Sequence, residues 1–170
     1  MSYTLYDASV VLARDALNSL SQILTKAAAH PNSEALLSAR LHEDMLPFSF
    51  QVFTVTDLAQ KLTARGTGAD PLDLDPNLDS FDAMQARIEL VLDGLAKVDK
   101  EALNARAEAE CSVIMGNGNE LKMLVKHYVN GYMLPNLFFH TTTAYGILRK
   151  EGVPLGKLDY IGSFLGPYTS

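Results

Sequence analysis

Leu5, Ala8, Leu12, Ala16, Leu20, Ile23 and Ala27 recur every three or four positions through residues 4–29, which is the apolar stripe of a long amphipathic helix. The turn formers His30, Pro31, Asn32 and Ser33 stop it, and a short helical segment is expected over residues 34–41. A second stripe, Phe48, Val52, Val55, Ala59 and Leu62, runs to Arg65. Asp44 is its expected cap, and Pro47 stands early, where a missing N–H costs least. The run GTGADPLDLDPNLD ends it. Ser80 is placed to cap a third helix carrying Phe81, Met84, Ile88, Val91, Leu92, Leu95 and Val98 and ending near Asp99.

Between Ala107 and Met115 the order is closer to alternation and GNGN follows, so a short strand or extended arm is expected there. A fourth helix is predicted from Glu120, with Leu121, Leu124, Val125, Tyr128 and Tyr132 on one side. Pro135 interrupts it. Proline has no N–H to offer the carbonyl of Gly131 and clashes with it, so a kink with a freed carbonyl is expected. The restarted segment should reach Lys150, where Gly152 and Pro154 end it. The tail LGKLDYIGSFLGPYTS is apolar enough to need cover, on the bundle or on a second subunit.

Four long helical stripes without a sustained β pattern predict an all-α, four-helix bundle with a kinked last helix and an apolar C-terminal tail. At 170 residues, 48% of them apolar or aromatic, a single domain over residues 1–170 is expected. The net charge of −6 and the lack of a basic cluster point away from nucleic acid. No apolar run approaches the roughly 20 residues of a membrane span, so a soluble, cytoplasmic protein without membrane partners is expected.

Cys111 is the single cysteine, which excludes an intrachain disulfide. Glu108 and Glu110 beside it disfavour a thiolate, so it reads as a small hydrophobe. The aspartates of residues 70–79 lack the ordered spacing and closing glutamate of a calcium loop, and that segment reads as a solvated connection. The informative stretch is PNLFFHTTTAY. Asn136, His140 and Thr143 share a helical face with Ile147, and Gln51 belongs to the stripe of Val55, Leu58 and Leu62. All should point inward. Either they satisfy one another and the carbonyl freed by Pro135, or they line a pocket between helices. In the second case His140 is the acid or base and Tyr145 a further proton donor, while Gln51, Asn136, Thr143 and Tyr132 hold the substrate. His127 reads as a surface or capping residue, and His42 and His30 as solvated turn residues.

The segments LPNLFFHTTTAYGILRKEGVPLGKLDYIG and ARLHEDMLPFSFQV resemble an uncharacterised family of about this length from fungi and bacteria, placed among the DinB/YfiT-like helical bundles. The resemblance covers nearly the whole chain. Members of that superfamily often bind a divalent metal through one His on the second helix and an HxxxH pair on the last, and some are thiol-dependent transferases or isomerases. Asn136 and His140 fall where the pair would lie, and Gln51 is the inward polar residue on the second helix. One imidazole is left where three would suit zinc or nickel, and carboxamides are weak neutral ligands. The expectation is therefore no bound metal and no cofactor.

Three functions follow. The first is a metal-independent isomerase, cyclase or lyase acting on a small molecule through His140. The second is a divalent-metal protein with a degenerate site. The third is a dimerising interaction protein. A homodimer is the expected assembly.

Overall fold

The computed structural model describes residues 3–114 and 118–166. It opens with a widened π-helical turn, Asp7–Val11, that runs directly into α1, Leu12–Ala28. A four-residue helix α2, Ser33–Leu36, leads to α3, Phe48–Thr67, and then α4, Phe81–Ala96. A short α5, Lys100–Ala105, precedes a hairpin of β1, Glu110–Ile114, and β2, Glu120–Leu124. The chain then continues without a break through α6, Val125–Tyr128, a second π-helical turn, Val129–Met133, and α7, Leu134–Lys150. It finishes the described part with α8, Lys157–Leu165.

The four long helices form the bundle. α3 packs against α4 and α7, and α1 against α4 and α7, so each long helix has two long neighbours. The predicted stripes are the buried faces: Leu20, Ile23 and Ala27 of α1, Val52, Val55, Ala59 and Leu62 of α3, and Met84, Ile88 and Leu95 of α4 lie in one apolar cluster. Fully burying a side chain of this size contributes about 1.5–3 kcal/mol, and that gain sets the helix faces.

Several boundaries differ from the sequence pattern. α3 begins at Phe48 behind Pro47, and Asp44 does not cap it. Its carboxylate holds Nδ1 of His42 at 2.7 Å instead. The first N–H groups of α3 are met by the preceding segment: Phe48 donates to Ala39 O at 2.9 Å and Ser49 to Leu37 O at 3.2 Å. Those carbonyls replace a capping side chain. Ser80 does cap α4, accepting from Ala83 N at 3.2 Å. α4 stops at Ala96, and Asp99 caps α5 by accepting from Ala102 N at 2.7 Å.

The largest correction concerns the fourth helix. Residues 120–124 are strand β2, paired antiparallel to β1 with Glu110 opposite Leu124 and Val113 opposite Leu121. Leu121 and Leu124, three apart, share a face only in a helix, and backbone pairing with β1 overrode that spacing. Met115, Gly116 and Asn117, where the expected arm and GNGN meet, lie outside the described residues.

The tail packs on its own bundle. α8 lies along α1, where Ser19 Oγ donates to Tyr160 O and Lys26 pairs with Asp159 at 2.7 Å. Its last part, residues 167–170, lies outside the described residues.

Gly68 follows α3 at φ 80°, with its N–H and that of Ala69 both donating to Ala64 O. A side chain there would sit in left-handed backbone and meet the Arg106 guanidinium at 2.8 Å. Gly68→Ala is expected to destabilise the protein by about 1–2 kcal/mol, the usual strain of a non-glycine residue in that region. Urea unfolding with an unchanged m-value measures it.

Candidate functional site

α3 and α7 run side by side, and their contact holds the polar residues singled out by the sequence. Gln51 sits in the first turn of α3 and is 2% exposed. Its carboxamide has one assignment. Leu46 O, a carbonyl that can only accept, is 2.9 Å from the amide nitrogen of Gln51, so Gln51 turns its NH₂ toward the loop and its oxygen toward α7. That oxygen lies 2.7 Å from His140 Nδ1. An oxygen without a hydrogen can only accept, so Nδ1 carries the proton and Nε2 carries the lone pair.

His140 is half-buried. The rings of Phe50 and Phe139 stand edge-on to it, with centroids 6.3 Å and 5.2 Å away. Burial holds its pKa below the ordinary 6.5, because desolvation penalises the imidazolium and Gln51 offers no counter-charge. At neutral pH the ring is therefore uncharged. Among the described residues Nε2 has no hydrogen-bond partner, and it is not sealed from solvent.

The other expected site residues are placed differently. Asn136 donates through its side-chain amide to Tyr132 O at 2.7 Å. The carbonyl it serves is thus that of Tyr132 and not the one four residues before Pro135. The strain of Pro135 is absorbed one turn earlier by the π-helical turn, in which Leu134 N–H reaches back five residues to Val129 O. Tyr132 stacks on the buried Tyr128 with centroids 5.9 Å apart. Thr143 is buried and donates to Phe139 O at 2.7 Å. Tyr145 lies about 140° around α7 from His140, its ring 6.2 Å from that of Tyr160 on α8. Of the expected set, the structure joins Gln51 to His140 across α3 and α7 and Asn136 to the Tyr132 backbone within one helix, and Thr143 and Tyr145 stand apart from both pairs.

A separate open groove of about 640 Å³, lined by Leu41, Pro135, Phe138, Phe139, Thr142, Thr143, Tyr145 and Gly146, runs along another face of α7, and neither Gln51 nor His140 is part of its wall. Phe139 both lines the groove and touches His140, and Thr143 follows His140 by three residues on α7. Sequence reading missed Leu46, Phe50 and Phe139 as site members. Their adjacency in sequence to Gln51 and His140 was the available signal for the two rings; a backbone carbonyl gives none.

The remaining groups of interest lie elsewhere. His127 is exposed, His42 sits against Asp44, and His30 Nδ1 accepts from Asn32 N. Burial pushes the Cys111 thiol up despite Arg65 and Arg106 nearby, which keeps it protonated. Burial also raises Tyr128 to about 12, although Arg65 donates to its hydroxyl at 3.1 Å.

The family model of a domain of unknown function, DUF1993, matches residues 5–161. The chain belongs to this family. A crystal structure of a DinB family member protein from Shewanella denitrificans is 32% identical, with a TM-score of 0.85 over 98% of this chain and 95% of that one. The resemblance to DinB-like bundles and the bundle fold are thereby borne out. A comparison with curated protein sequences finds no match. No helix among the described residues is long and apolar enough to cross a membrane.

The metal set that the wider superfamily implies does not fit this DUF1993 chain. Gln51 Oε1 is taken by His140 Nδ1 itself and the Asn136 amide by a backbone carbonyl. No group of three or more His, Cys, Asp or Glu side chains able to hold an ion occurs among the described residues.

The lowered pKa of His140 has a thermodynamic consequence. Between its folded value and the ordinary 6.5, the unfolded chain binds more proton than the folded one, so stability rises with pH through that window and levels off above it. Denaturant unfolding of wild type and His140→Asn from pH 5 to 8 is expected to show their difference rising toward 6.5 and then flat. In Gln51→Glu, a carboxylate replaces the amide, and the His140 titration followed by NMR should move upward.

Proposed function

We propose that the α3–α7 contact is the reactive centre of a small-molecule enzyme that works without a metal, with His140 as general base. The observation that carries this reading is the ordered series Leu46 carbonyl, Gln51 carboxamide, His140 imidazole, which presents a neutral ring with its Nε2 lone pair free. A structural histidine needs no fixed tautomer with an open nitrogen. A base at neutral pH does.

The rings of Phe50 and Phe139 that stand edge-on to the imidazole suit a substrate with an apolar or aromatic body beside Nε2. The reaction class is proton transfer at carbon. Nε2 takes a proton from a carbon next to a carbonyl, leaving the C–H electron pair on the substrate as an enolate. The imidazolium so formed keeps its Nδ1–H on Gln51 and returns the Nε2 proton to a different carbon. Atoms balance without an added reactant, which is an isomerisation; loss of a neighbouring leaving group in place of reprotonation would make it a lyase.

Two further readings are set against this one by the same experiment. Thermal unfolding of wild type and His140→Gln is followed across small aromatic and polyketide-like carbonyl compounds and across divalent metals. Compounds that raise the wild-type midpoint are then incubated in D₂O, and loss of their C–H signals is measured. The expected outcome is a midpoint shift with carbonyl compounds, and exchange slowed 10²- to 10⁴-fold in His140→Gln, the usual worth of a positioned base. A shift with metals alone, lost in the variant, would favour the degenerate metal site. No response to either would leave a structural hydrogen bond in an interaction protein.

A further inference from the structure

β1 and β2 pair only with each other, so their sheet has two outer edges. Val125 N donates to Ala109 O at 2.9 Å, continuing the ladder that sets Glu110 opposite Leu124. Facing residues in an antiparallel pair alternate between exchanging hydrogen bonds and not, so Cys111 with Met123 and Val113 with Leu121 are the bonded pairs. The backbone groups of Glu110, Ser112 and Ile114 then point away from β2, and those of Glu120, Lys122 and Leu124 away from β1.

The two edges are treated differently. That of β1 lies toward the end of α3, where Arg65 Nε donates to Ser112 O at 2.9 Å. The neighbours of β2 are β1 and the α6 turn that continues its own chain. Glu120, Leu121 and Lys122 are exposed, and no hydrogen bond among the described residues meets the outward backbone groups of Glu120 or Lys122. An open edge is a template for another strand, and a lysine on it normally blocks that pairing. Glu120 changes the outcome. It stands two residues from Lys122 on the same face of the strand, and neither side chain has an ion-pair partner among the described residues.

We infer that β2 is a self-association edge whose partner is β2 of a second copy, paired antiparallel about a two-fold axis at Leu121. Backbone and charge select this register together. Outward groups must meet outward groups, which admits an axis on a residue and excludes one between residues. An axis at Lys122 sets lysine directly opposite lysine, and one at Glu120 sets carboxylate opposite carboxylate, both destabilising. An axis at Met123 or Leu124 runs each strand into the α6 turn of the other copy. The axis at Leu121 sets each Glu120 opposite the Lys122 of the other chain, twice by symmetry. It also covers the two Leu121 side chains, 44% exposed in the single chain, with one another as a non-bonded pair, the closer kind. An edge of five residues is a small interface, so the dimer is a weak, concentration-dependent one. Arg65 is fourteen residues beyond Gln51 on α3, about 21 Å along its axis, so this edge is separate from His140 and does not rest on its chemistry.

Sedimentation velocity over a dilution series, with thermal unfolding as the folding control, is run on wild type, Glu120→Lys, Lys122→Glu and an equimolar mixture of the two variants. Wild type is expected to dimerise as concentration rises. Each single variant puts like charges opposite one another at both ends of the pairing and should weaken dimerisation roughly four- to hundredfold, with its midpoint kept because both positions are exposed. The mixture restores both opposite-charge pairs in a heterodimer, so it should associate as wild type does. Amide hydrogen exchange reads the backbone: the N–H groups of Glu120 and Lys122 should gain protection at the concentration where wild type dimerises. A monomer at every concentration, a dimer that either single variant leaves intact, variants that do not associate on mixing, or exchange at Glu120 and Lys122 that ignores concentration would overturn the inference.

Discussion

A helix buried along much of its circumference is destabilised by each polar side chain it leaves unanswered, and α3 is that helix. It touches α1, α4, α5, α7, β1 and both π-helical turns. Gln51, Thr56 and Gln60 lie on it almost wholly buried, and an unpaired buried amide costs more than the net worth of the bond it forgoes. Each is answered locally: Thr56 by its own helix, Gln60 by the backbone of Leu72, and Gln51 by Leu46 on one side and His140 on the other. The position of α7 against α3, the path of the loop before α3 and the path of the connection after it are all tied to those answers.

The apolar half of this arrangement was legible in the sequence. The stripes of residues 5–27, 48–62 and 81–98 became α1, α3 and α4 because burial of large apolar faces outweighs the finer choices at helix ends. The inward direction of Gln51 and His140 followed from the same periodicity, and their contact is consistent with it. What periodicity could not yield was anything decided by a carbonyl. The start of α3 is set by the carbonyls of Leu37 and Ala39, which displaced Asp44 as the cap. The tautomer of His140 is set by the carbonyl of Leu46 acting through Gln51. Backbone groups carry no sequence signature.

The region around Pro135 shows a different limit. Sequence reasoning placed a defect in the last helix but not its form. A proline can be accommodated by bending the helix or by widening the turn before it, and here the widened turn of Val129–Met133 takes it up, with the Asn136 side chain donating to Tyr132 O. Asn136 is therefore committed to the backbone and contributes to the site by shaping α7 where it approaches α3. The first residues of the same helix illustrate the converse. Leu121 and Leu124 fitted a helical stripe, yet backbone pairing with β1 took them and put the two leucines on opposite faces of the strand.

The amide at position 51 decides what His140 can do. A carboxylate at this distance would hold the ring as an imidazolium, which has no lone pair to offer; a second imidazole would compete for the same proton or, with a third, hold an ion. A carboxamide oriented by Leu46 does neither. It accepts one hydrogen bond, brings no charge, and leaves the cost of desolvating the imidazolium uncompensated, so the pKa falls and the neutral ring prevails. The pair is thus internally consistent as a neutral base: the interaction that fixes the tautomer is also too weak, electrostatically, to protonate it. What the ring can do then rests on what reaches Nε2 past the edges of Phe50 and Phe139.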